Sequence, residues 1–364
     1  MTTVDAMVFT GVGQPLSAER LELDEPRDDL VRVRIRASGV CHSDLHVVNG
    51  DWPAEGPVVL GHEGAGEVEA VGPAVRDVAP GDRVVLSWFA PCRRCRMCAS
   101  GRAWACAETK SIENALPDGG TPFHRDDGSR VSPYLGLGTF STAVLVPEAA
   151  AVSVPAAVPF PIAAMIGCSV TTGVGAVLNA AGVRPGDSAV VIGCGGVGQA
   201  ILLGLGLVGA GPIVAVDLSE ERLAQARELG ATATIRGDEP ELVAQVRELT
   251  GGADHAFEAI GLPRTIELLP DLLRAGGTGV IVGMPAVDAR ASFSPFDLAD
   301  QGKRILGCNY GSSVPTVDFP RVARLYLAGR LPLDRLVGRM RPLHEAGEAL
   351  VDLEGAVGLR TILE

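Results

Sequence analysis

The chain has 364 residues, more than one hydrophobic core ordinarily serves, so two domains are expected. A hydrophobic fraction of 47% with 21% charged residues is typical of a globular protein. The net charge of −13 argues against nucleic acid and against an anionic membrane surface as partners.

The N-terminal segment MTTVDAMVFTG has neither the basic nor the apolar region of a signal peptide, and no membrane-spanning segment is predicted, so a cytoplasmic location is expected. In such a chain, the eight cysteines favour metal binding or catalysis over disulfides.

The first predicted strands are residues 4–10 and 31–37. In the second, Val31, Val33 and Ile35 alternate with arginines, which predicts one face in the core and one in water. Two short segments rich in ligand-type side chains follow, GVCHSDLH (39–46) and LGHEGAGEVEAVG (60–72). Taken singly, each cysteine or histidine there fits an ordinary buried or polar role.

Four cysteines then follow within a short span at spacings x2, x2 and x7: Cys92, Cys95, Cys98 and Cys106. Four thiolates at these spacings can surround one tetrahedral metal ion. An iron–sulfur cluster is disfavoured because no Cys-Pro follows and the gap of seven is wrong. Residues 107–138 are polar and rich in glycine and proline and predict a long loop, and residues 139–154 return to strands.

A strand, a glycine-rich turn and an apolar helix are predicted around SAVVIGCGGVG (188–198), the pattern of a dinucleotide-binding unit. The glycines would serve a tight turn (Gly193), close approach of a pyrophosphate (Gly195) and close helix packing (Gly198). The helix N-terminus would offer N–H groups to the phosphates. The predicted cofactor-binding residues of this turn are Gly193, Gly195, Gly196, Val197 and Gly198.

Asp217 ends the next predicted strand, 19 residues after Gly198. An acid there can accept hydrogen bonds from the adenosine ribose and repel a 2′-phosphate, so NAD is expected over NADP. The alternative is that Asp217 is a helix N-cap. Arg222, nearby, could weaken the preference for NAD.

Strands and helices alternate from about 170 to 309, which predicts a doubly wound parallel sheet. Residues 265–275 are predicted to be a helix between two strands, and further helices are predicted at 319–329 and 343–353. The fold class is therefore α/β.

The motifs GVCHSDLH, GHEGAGEVEAVG, GCGGVG and the terminal RTIL, together with the cysteine cluster, resemble the zinc-dependent medium-chain alcohol dehydrogenases, in the order of that family and over nearly the whole chain. The resemblance to its dimeric, formaldehyde dehydrogenase-like members implies a β-rich GroES-like catalytic domain (1–169 and 310–364) and a Rossmann domain (170–309). It implies two zinc ions per chain and a homodimer. The structural zinc would lie in the lobe 92–106.

The resemblance also assigns the catalytic site. Cys41, His62 and Cys168 (in IGCSVTTG) would hold the catalytic zinc with one open position. Ser43 would contact the substrate oxygen, and the nicotinamide ribose hydroxyl would pass the proton on to His46 near the surface, although an ordinary surface role is the alternative for His46. Asp44 would accept a hydrogen bond from His62, and Glu63 would lie behind the metal.

The remaining expected roles concern cofactor and substrate. Arg360 would contact the pyrophosphate, and Val282 would line the cofactor site. His42 stands where many members carry arginine, so weaker NADH binding is expected. Trp52 and Trp88 would line the substrate pocket, although core packing is an alternative for both. Cys194 and Cys308 are expected to be small buried residues.

The expected function is interconversion of a primary alcohol and an aldehyde with NAD(H). One alternative is a thiol-dependent S-(hydroxymethyl) formaldehyde dehydrogenase, which would need a cationic anchor. A second alternative is a redox-silent binding protein on the same fold, which the intact ligand set disfavours. The candidate anchors are Arg102, Lys110, Arg125 and Arg130.

Overall fold

A computed structural model describes residues 1–355 and 358–364. It divides the chain into two compact units. The first unit contains residues 1–168, 314–329 and 333–364, and the second contains 169–313 and 330–332. The domain borders predicted from the sequence lie at 169/170 and 309/310.

The strands of the described chain vary from two to ten residues in length. In chain order they are β1 (Thr2–Phe9), β2 (Ser17–Leu23), β3 (Leu30–Gly39), β4 (Val58–Val59), β5 (Glu63–Val71), β6 (Arg83–Leu86), β7 (Phe123–His124), β8 (Arg130–Pro133), β9 (Ala143–Pro147), β10 (Ala151–Ser153), β11 (Ala189–Ile192), β12 (Ile213–Asp217), β13 (Ala233–Arg236), β14 (Ala253–Glu258), β15 (Leu273–Ile281), β16 (Arg304–Gly307), β17 (Val337–Arg341) and β18 (Arg360–Leu363).

The α-helices are mostly short. They are α1 (His42–Asn49), α2 (Arg96–Ala99), α3 (Phe160–Met165), α4 (Thr171–Gly175), α5 (Gly196–Val208), α6 (Glu220–Glu228), α7 (Leu242–Thr250), α8 (Pro263–Ile266), α9 (Leu269–Leu272), α10 (Pro295–Asp300), α11 (Pro315–Leu327) and α12 (Ala346–Glu354).

Helices α3 and α4 belong to one helical run, Phe160–Ala181, which is long and apolar enough to cross a membrane by length and composition. However, 83% of its most apolar window is buried inside the protein, as expected for a core helix. The run therefore gives no reason to place the chain in a membrane.

The first unit contains a closed barrel in the order β1-β2-β7-β8-β4. Strands β7 and β8 lie within residues 107–138, so the prediction of a long loop there is wrong in part. The two strands pair through Phe123↔Val131, and both side chains are buried in the core. These short strands form because the segment, although polar overall, supplies apolar side chains where they face the barrel interior.

A second sheet of the first unit has the order β10-β6-β5-β3-β18-β17, with β9 also pairing to β3. At one end of this sheet Gly39 of β3 lies opposite Glu63 of β5 and Ile362 of β18. The sheet therefore brings together three segments that are distant in the sequence: the one entering Cys41, the one leaving His62, and the one containing Arg360.

The second unit contains a six-stranded parallel sheet in the order β13-β12-β11-β14-β15-β16. Its central strands β11 and β12 are buried along their whole length, because helices cover both faces of such a sheet. This architecture confirms the predicted doubly wound α/β fold.

The predicted helix 265–275 is wrong in its second half. The structure has two one-turn helices, α8 and α9, and then strand β15 from Leu273. Pro270, at the start of α9, lacks the N–H that would continue the preceding turn. Gly276 has φ of +76°, which a helix does not allow and which glycine adopts without strain.

Asp254 ties two neighbouring strands of this sheet together. Its Oδ2 accepts hydrogen bonds from the Ser188 amide (2.9 Å) and hydroxyl (2.7 Å), and its Oδ1 accepts one from Arg274 Nε (2.6 Å). Burial opposes ionisation, but the Ser188 hydrogen bonds and the Arg274 charge outweigh it and hold the pKa of Asp254 below its usual range.

We expect Asp254→Asn to lower the free energy of unfolding by about 1–2 kcal/mol at pH 7, since the ionised carboxylate is the better acceptor. Because the folded-state pKa is lowered, the wild-type advantage is complete above the unfolded pKa of about 4 and fades as the pH falls below it. Urea unfolding at several pH values measures this difference in the free energy of unfolding between the wild type and the variant. Asp288→Asn, at an exposed carboxylate, should have no effect, and an advantage independent of pH would contradict this account.

Candidate functional site

The first unit holds a buried cluster of ligand-type side chains from three parts of the chain. The Sγ atoms of Cys41 and Cys168, a ring nitrogen of His62 and a carboxylate oxygen of Glu63 all lie within 4.8 Å of one another. Cys41 is the N-cap of α1, His62 immediately precedes β5, and Cys168 lies in the helical run Phe160–Ala181. The structure therefore brings together the three predicted catalytic-zinc ligands.

Asp44 fixes the geometry of this cluster. It is fully buried, and its Oδ2 accepts a hydrogen bond from the Cys41 amide (3.0 Å). Its Oδ1 lies 3.1 Å from both the Gly61 amide nitrogen and His62 Nδ1. When the Nδ1 proton is donated to this carboxylate, Nε2 of His62 keeps its lone pair for a metal.

Two observations fit a zinc ion at this cluster. His62 Nε2 is buried without a hydrogen-bond partner among the described residues. Cys41 and Cys168 interact directly, and the hydrogen bond from Cys168, with the charge of Arg360, holds the pKa of Cys41 well below its usual range. Two thiolates and one imidazole form a ligand set that zinc prefers.

Glu63, the fourth member of the cluster, is paired with Arg360. The Arg360 guanidinium donates to both carboxylate oxygens, with Nε 3.2 Å from Oε2, and both side chains are buried. Because the Glu63 carboxylate is held by Arg360, the other three members of the cluster, Cys41, His62 and Cys168, remain as metal ligands. Sequence reasoning assigned Arg360 only to the pyrophosphate and missed this pair, which no spacing within the sequence reveals.

Ser43 and His46 lie on α1, the helix whose N-cap is Cys41. Ser43 Oγ is 3.8 Å from Cys41 Sγ. The buried Tyr134 donates its hydroxyl to the Ser43 carbonyl oxygen at 2.8 Å and packs its ring edge-on against His62, with centroids 5.6 Å apart. Tyr134 was not predicted as a site residue, because it lies in the segment interpreted as a loop.

The two tryptophans that were predicted to line the substrate pocket, Trp52 and Trp88, have different surroundings. Trp52 stacks on the imidazole of His46, with ring centroids 4.7 Å apart. Trp88 is half-buried, meets Phe89 edge-to-face and packs against the core of the first unit. Their contact with a substrate stays a prediction.

His42, the first residue of α1, is exposed, and its effect on NADH binding stays a prediction.

The second ligand cluster lies in the predicted lobe, where all four Sγ atoms lie within 4.8 Å of one another. Three of the Sγ–Sγ separations are 3.6 Å (Cys95–Cys98), 3.9 Å (Cys95–Cys106) and 4.0 Å (Cys92–Cys98). Tetrahedral zinc with Zn–S bonds of about 2.3 Å requires separations of about 3.8 Å. The Cys95 amide also donates to Cys92 Sγ at 3.3 Å, as is favourable for a thiolate. The lobe therefore fits a structural zinc ion.

In the second unit the glycine-rich turn lies between β11 and α5. Gly193 has φ of +89°, and a side chain at Gly198 would collide with the Gly193 carbonyl oxygen, so both positions require glycine. A Cβ at Gly195, the N-cap of α5, would point into open space. Gly196 and Val197 begin the helix, whose amides at this end can hold a phosphate.

Asp217 ends β12 next to this turn. Its Oδ2 accepts a hydrogen bond from the Cys194 amide (2.7 Å) and its Oδ1 one from the Ser219 amide (2.9 Å). The N-cap of α6 is Ser219, which accepts from the Arg222 amide, so the interpretation of Asp217 as that N-cap is wrong. Arg222 lies in the first turn of α6.

Glu258, which sequence reasoning missed, organises the neighbouring loops. Its carbonyl oxygen accepts from the Val282 amide (2.8 Å), and its buried carboxylate accepts from the Gly261 amide and the Thr265 hydroxyl. Burial raises the pKa of this carboxyl group.

The two remaining thiols, Cys194 and Cys308, are buried, as expected from the sequence, and burial raises their pKa to about 12 and about 11.

A chain with a buried two-cysteine, one-histidine cluster, a four-cysteine lobe and a dinucleotide-type sheet has the features of a zinc-binding dehydrogenase. Two family models match it: the alcohol dehydrogenase GroES-like domain over residues 27–156 and the zinc-binding dehydrogenase domain over 196–328. The chain belongs to the zinc-binding alcohol dehydrogenase family and is an enzyme of the alcohol dehydrogenase class.

Relatives match over nearly the whole chain. An NDMA-dependent alcohol dehydrogenase of Amycolatopsis methanolica is 37% identical, with 98% of each chain covered. An S-(hydroxymethyl)glutathione dehydrogenase of Saccharomyces cerevisiae is 34% identical, with 99% of this chain and 95% of the relative covered. The solved structure of benzyl alcohol dehydrogenase from Acinetobacter calcoaceticus has a TM-score of 0.93 at 34% identity and covers 100% of this chain and 99% of that one.

Proposed function

We propose that this enzyme interconverts a primary alcohol and an aldehyde by hydride transfer to or from NAD(H), with one catalytic and one structural zinc ion per chain. The observation that carries the proposal is the buried meeting of Cys41, His62 and Cys168, with His62 Nε2 lacking any other partner among the described residues. Three protein ligands with a fourth position for substrate are the pattern of catalytic zinc, whereas four-thiolate sites are structural.

The residues of the chain have separate tasks in this reaction. When bound, zinc supplies Lewis acidity that favours loss of the alcohol proton. Cys41, His62 and Cys168 hold it, and Asp44 sets the orientation of His62. The Ser43 hydroxyl would contact the alcohol oxygen and relay the alcohol proton toward His46, and NAD, when bound, would supply the acceptor for the hydride.

The second unit supports NAD as the cofactor. The open space in front of Gly195 and the amides at the start of α5 suit a pyrophosphate. The Asp217 carboxylate uses one hydrogen bond at each oxygen for the backbone and keeps lone pairs for ribose hydroxyls. Its negative charge disfavours a 2′-phosphate.

We expect Asp217→Asn to raise the ratio of kcat/KM for NADP to that for NAD by about tenfold or more, because it removes the repulsion but keeps an oxygen acceptor. Glu221→Gln, at an exposed acid in the first turn of the following helix α6, is the matched control and should leave the ratio unchanged. Steady-state kinetics with both cofactors measures the effect. An unaltered ratio in Asp217→Asn would contradict the assignment of this residue.

The function is tested by following NADH formation with benzyl alcohol, geraniol and S-(hydroxymethyl)glutathione, alongside metal analysis of the purified enzyme. Turnover of a primary alcohol with NAD and about two zinc ions per chain is expected. A further arm adds NDMA, because one relative depends on it. Absence of turnover in every arm would refute the proposal.

The alternative function, a thiol-dependent formaldehyde dehydrogenase, needs a cationic side chain to anchor the thiol adduct. Two of the four candidate anchors already form ion pairs with acidic side chains. Arg125 binds Glu19 through two hydrogen bonds, and Lys110 binds Glu113. Arg102 and Arg130 remain candidate anchors, and the substrate panel above, which includes S-(hydroxymethyl)glutathione, separates the two substrate classes.

We also propose a cytoplasmic homodimer. None of the eight cysteines, all of which the structure describes, forms a disulfide, as is usual in a reducing compartment. Strand β16 ends the parallel sheet, and Phe296 (72% exposed) and Val287 (74%) lie in the segment between β15 and β16. Exposed apolar side chains of this size favour burial against another chain. Light scattering of the purified protein measures its molar mass, which should be twice that of one chain if the homodimer forms.

A further inference from the structure

His46 is held by the residues that follow its own helix. Gly50, at the C-terminus of α1, has φ of +82° and reverses the chain, so that Asp51 and Trp52 return to the last helical turn. The Trp52 amide donates to the His46 carbonyl oxygen at 3.1 Å. This closed turn places the Asp51 carboxylate 2.8 Å from His46 Nδ1.

The His46 ring therefore has two side-chain contacts that fix it. Asp51 Oδ2 lies within hydrogen-bond distance of Nδ1, and the Trp52 indole stacks on one face of the ring with an interplanar angle of 24°. The His46 side chain is 25% exposed and that of Asp51 is 45% exposed. The contacts leave Nε2 as the ring nitrogen that is available for proton transfer.

We propose that Asp51 is a positioning residue for His46: it selects the tautomer with the proton on Nδ1 and presents the Nε2 lone pair as the acceptor of the substrate proton. A carboxylate accepts but does not donate, so it fixes the proton on the facing nitrogen. Trp52 sets the plane of the ring. The inference rests on the proposed function, in which His46 receives that proton.

The proton and electron balance of the step is simple. In alcohol oxidation the carbon loses a hydride, with its electron pair, to NAD, and the oxygen loses a proton through Ser43 to His46 Nε2. His46 then carries protons on both ring nitrogens, its Nδ1–H still donates to Asp51 Oδ2, and it returns the Nε2 proton to solvent.

The tautomer can be observed without turnover. Long-range proton–nitrogen spectra of the zinc-loaded enzyme labelled with ¹⁵N-histidine report which ring nitrogen carries the proton, and His46→Gln identifies the His46 signals. We expect Nδ1–H in the wild type, Nε2–H in Asp51→Ala, and retention of Nδ1–H in Asp51→Asn, whose amide oxygen still accepts. Nε2–H in the wild type would overturn the inference.

Kinetics separate positioning from a structural role. With benzyl alcohol and NAD, Asp51→Ala should lower kcat about tenfold while KM and NADH affinity change less than twofold, since a misdirected base affects only the proton step. Asp51→Asn should recover most of the loss. In a His46→Gln background Asp51→Ala should cost nothing further, and a full additional loss there would refute the positioning role.

Asp24→Ala is the matched control, because Asp24 also pairs with a histidine, His124, at 3.2 Å. It should leave kcat unchanged. If no alcohol is oxidised by any variant, the proposed function fails, whereas the tautomer measurement still decides whether Asp51 positions His46.

Discussion

Cys168→Ala is expected to reduce the zinc content from about two ions per chain to about one and to lower kcat/KM for alcohol well over a hundredfold. Changing a residue that only supports a ligand typically costs 10–100-fold in metal affinity or activity, so loss of a direct ligand costs more. The remaining ion should be that of the four-cysteine lobe, whose ligands are unaffected. Metal analysis and steady-state kinetics measure both effects.

Cys308→Ala provides the matched control for this change. Cys308 is also a buried thiol, but it lies outside both ligand clusters of the described chain. It should keep two zinc ions and full activity. Two zinc ions or near-normal kinetics in Cys168→Ala would show that residues 41, 62 and 168 do not form the catalytic metal site.

The second large effect concerns the buried ion pair of Glu63 and Arg360. Arg360→Met should lower the free energy of unfolding by about 3–5 kcal/mol, because it leaves a buried carboxylate without its countercharge. Glu63→Gln in the same chain should recover part of the loss. Urea unfolding of the two single variants and the double variant measures the coupling.

Arg339→Met is a suitable comparison, since Arg339 pairs with Asp352 at 2.9 Å and is 51% exposed. Its loss should cost less than about 1 kcal/mol. A similarly small loss in Arg360→Met would refute a strong buried pair. NADH affinity adds a second readout: if Arg360 also contacts the pyrophosphate, Arg360→Met weakens NADH binding more than Glu63→Gln does.

The sequence alone predicts the parts of the molecule in which function imposes residue type and spacing. The glycines of residues 193–198 are needed for a positive φ and for close packing, and the four lobe cysteines need only local spacing to surround a metal. The parallel sheet follows from alternating strand and helix patterns. In each case the signal lies within a short stretch of chain or in its periodicity.

The contacts that the sequence does not predict are those that depend on tertiary structure. The Glu63–Arg360 pair joins residues almost 300 positions apart, and Tyr134 reaches Ser43 from the turn that follows barrel strand β8, in a segment interpreted as loop. Residues 273–281 have mixed local preferences, so their place between β14 and β16 decides that they form a strand. Asp51 is close in sequence to His46, but only the left-handed Gly50 brings it back.

The hydrogen bonds of Asp44 have a consequence for how the enzyme acquires its metal. They tie the amide of one ligand residue and the ring of another to a single carboxylate inside the folded core. Folding of the first unit therefore meets the entropic cost of arranging this coordination sphere before any ion arrives. A zinc ion at that position would enter a site that is already arranged, whereas the cysteine lobe, with only short helices around its thiols, would depend on an ion to stabilise its shape.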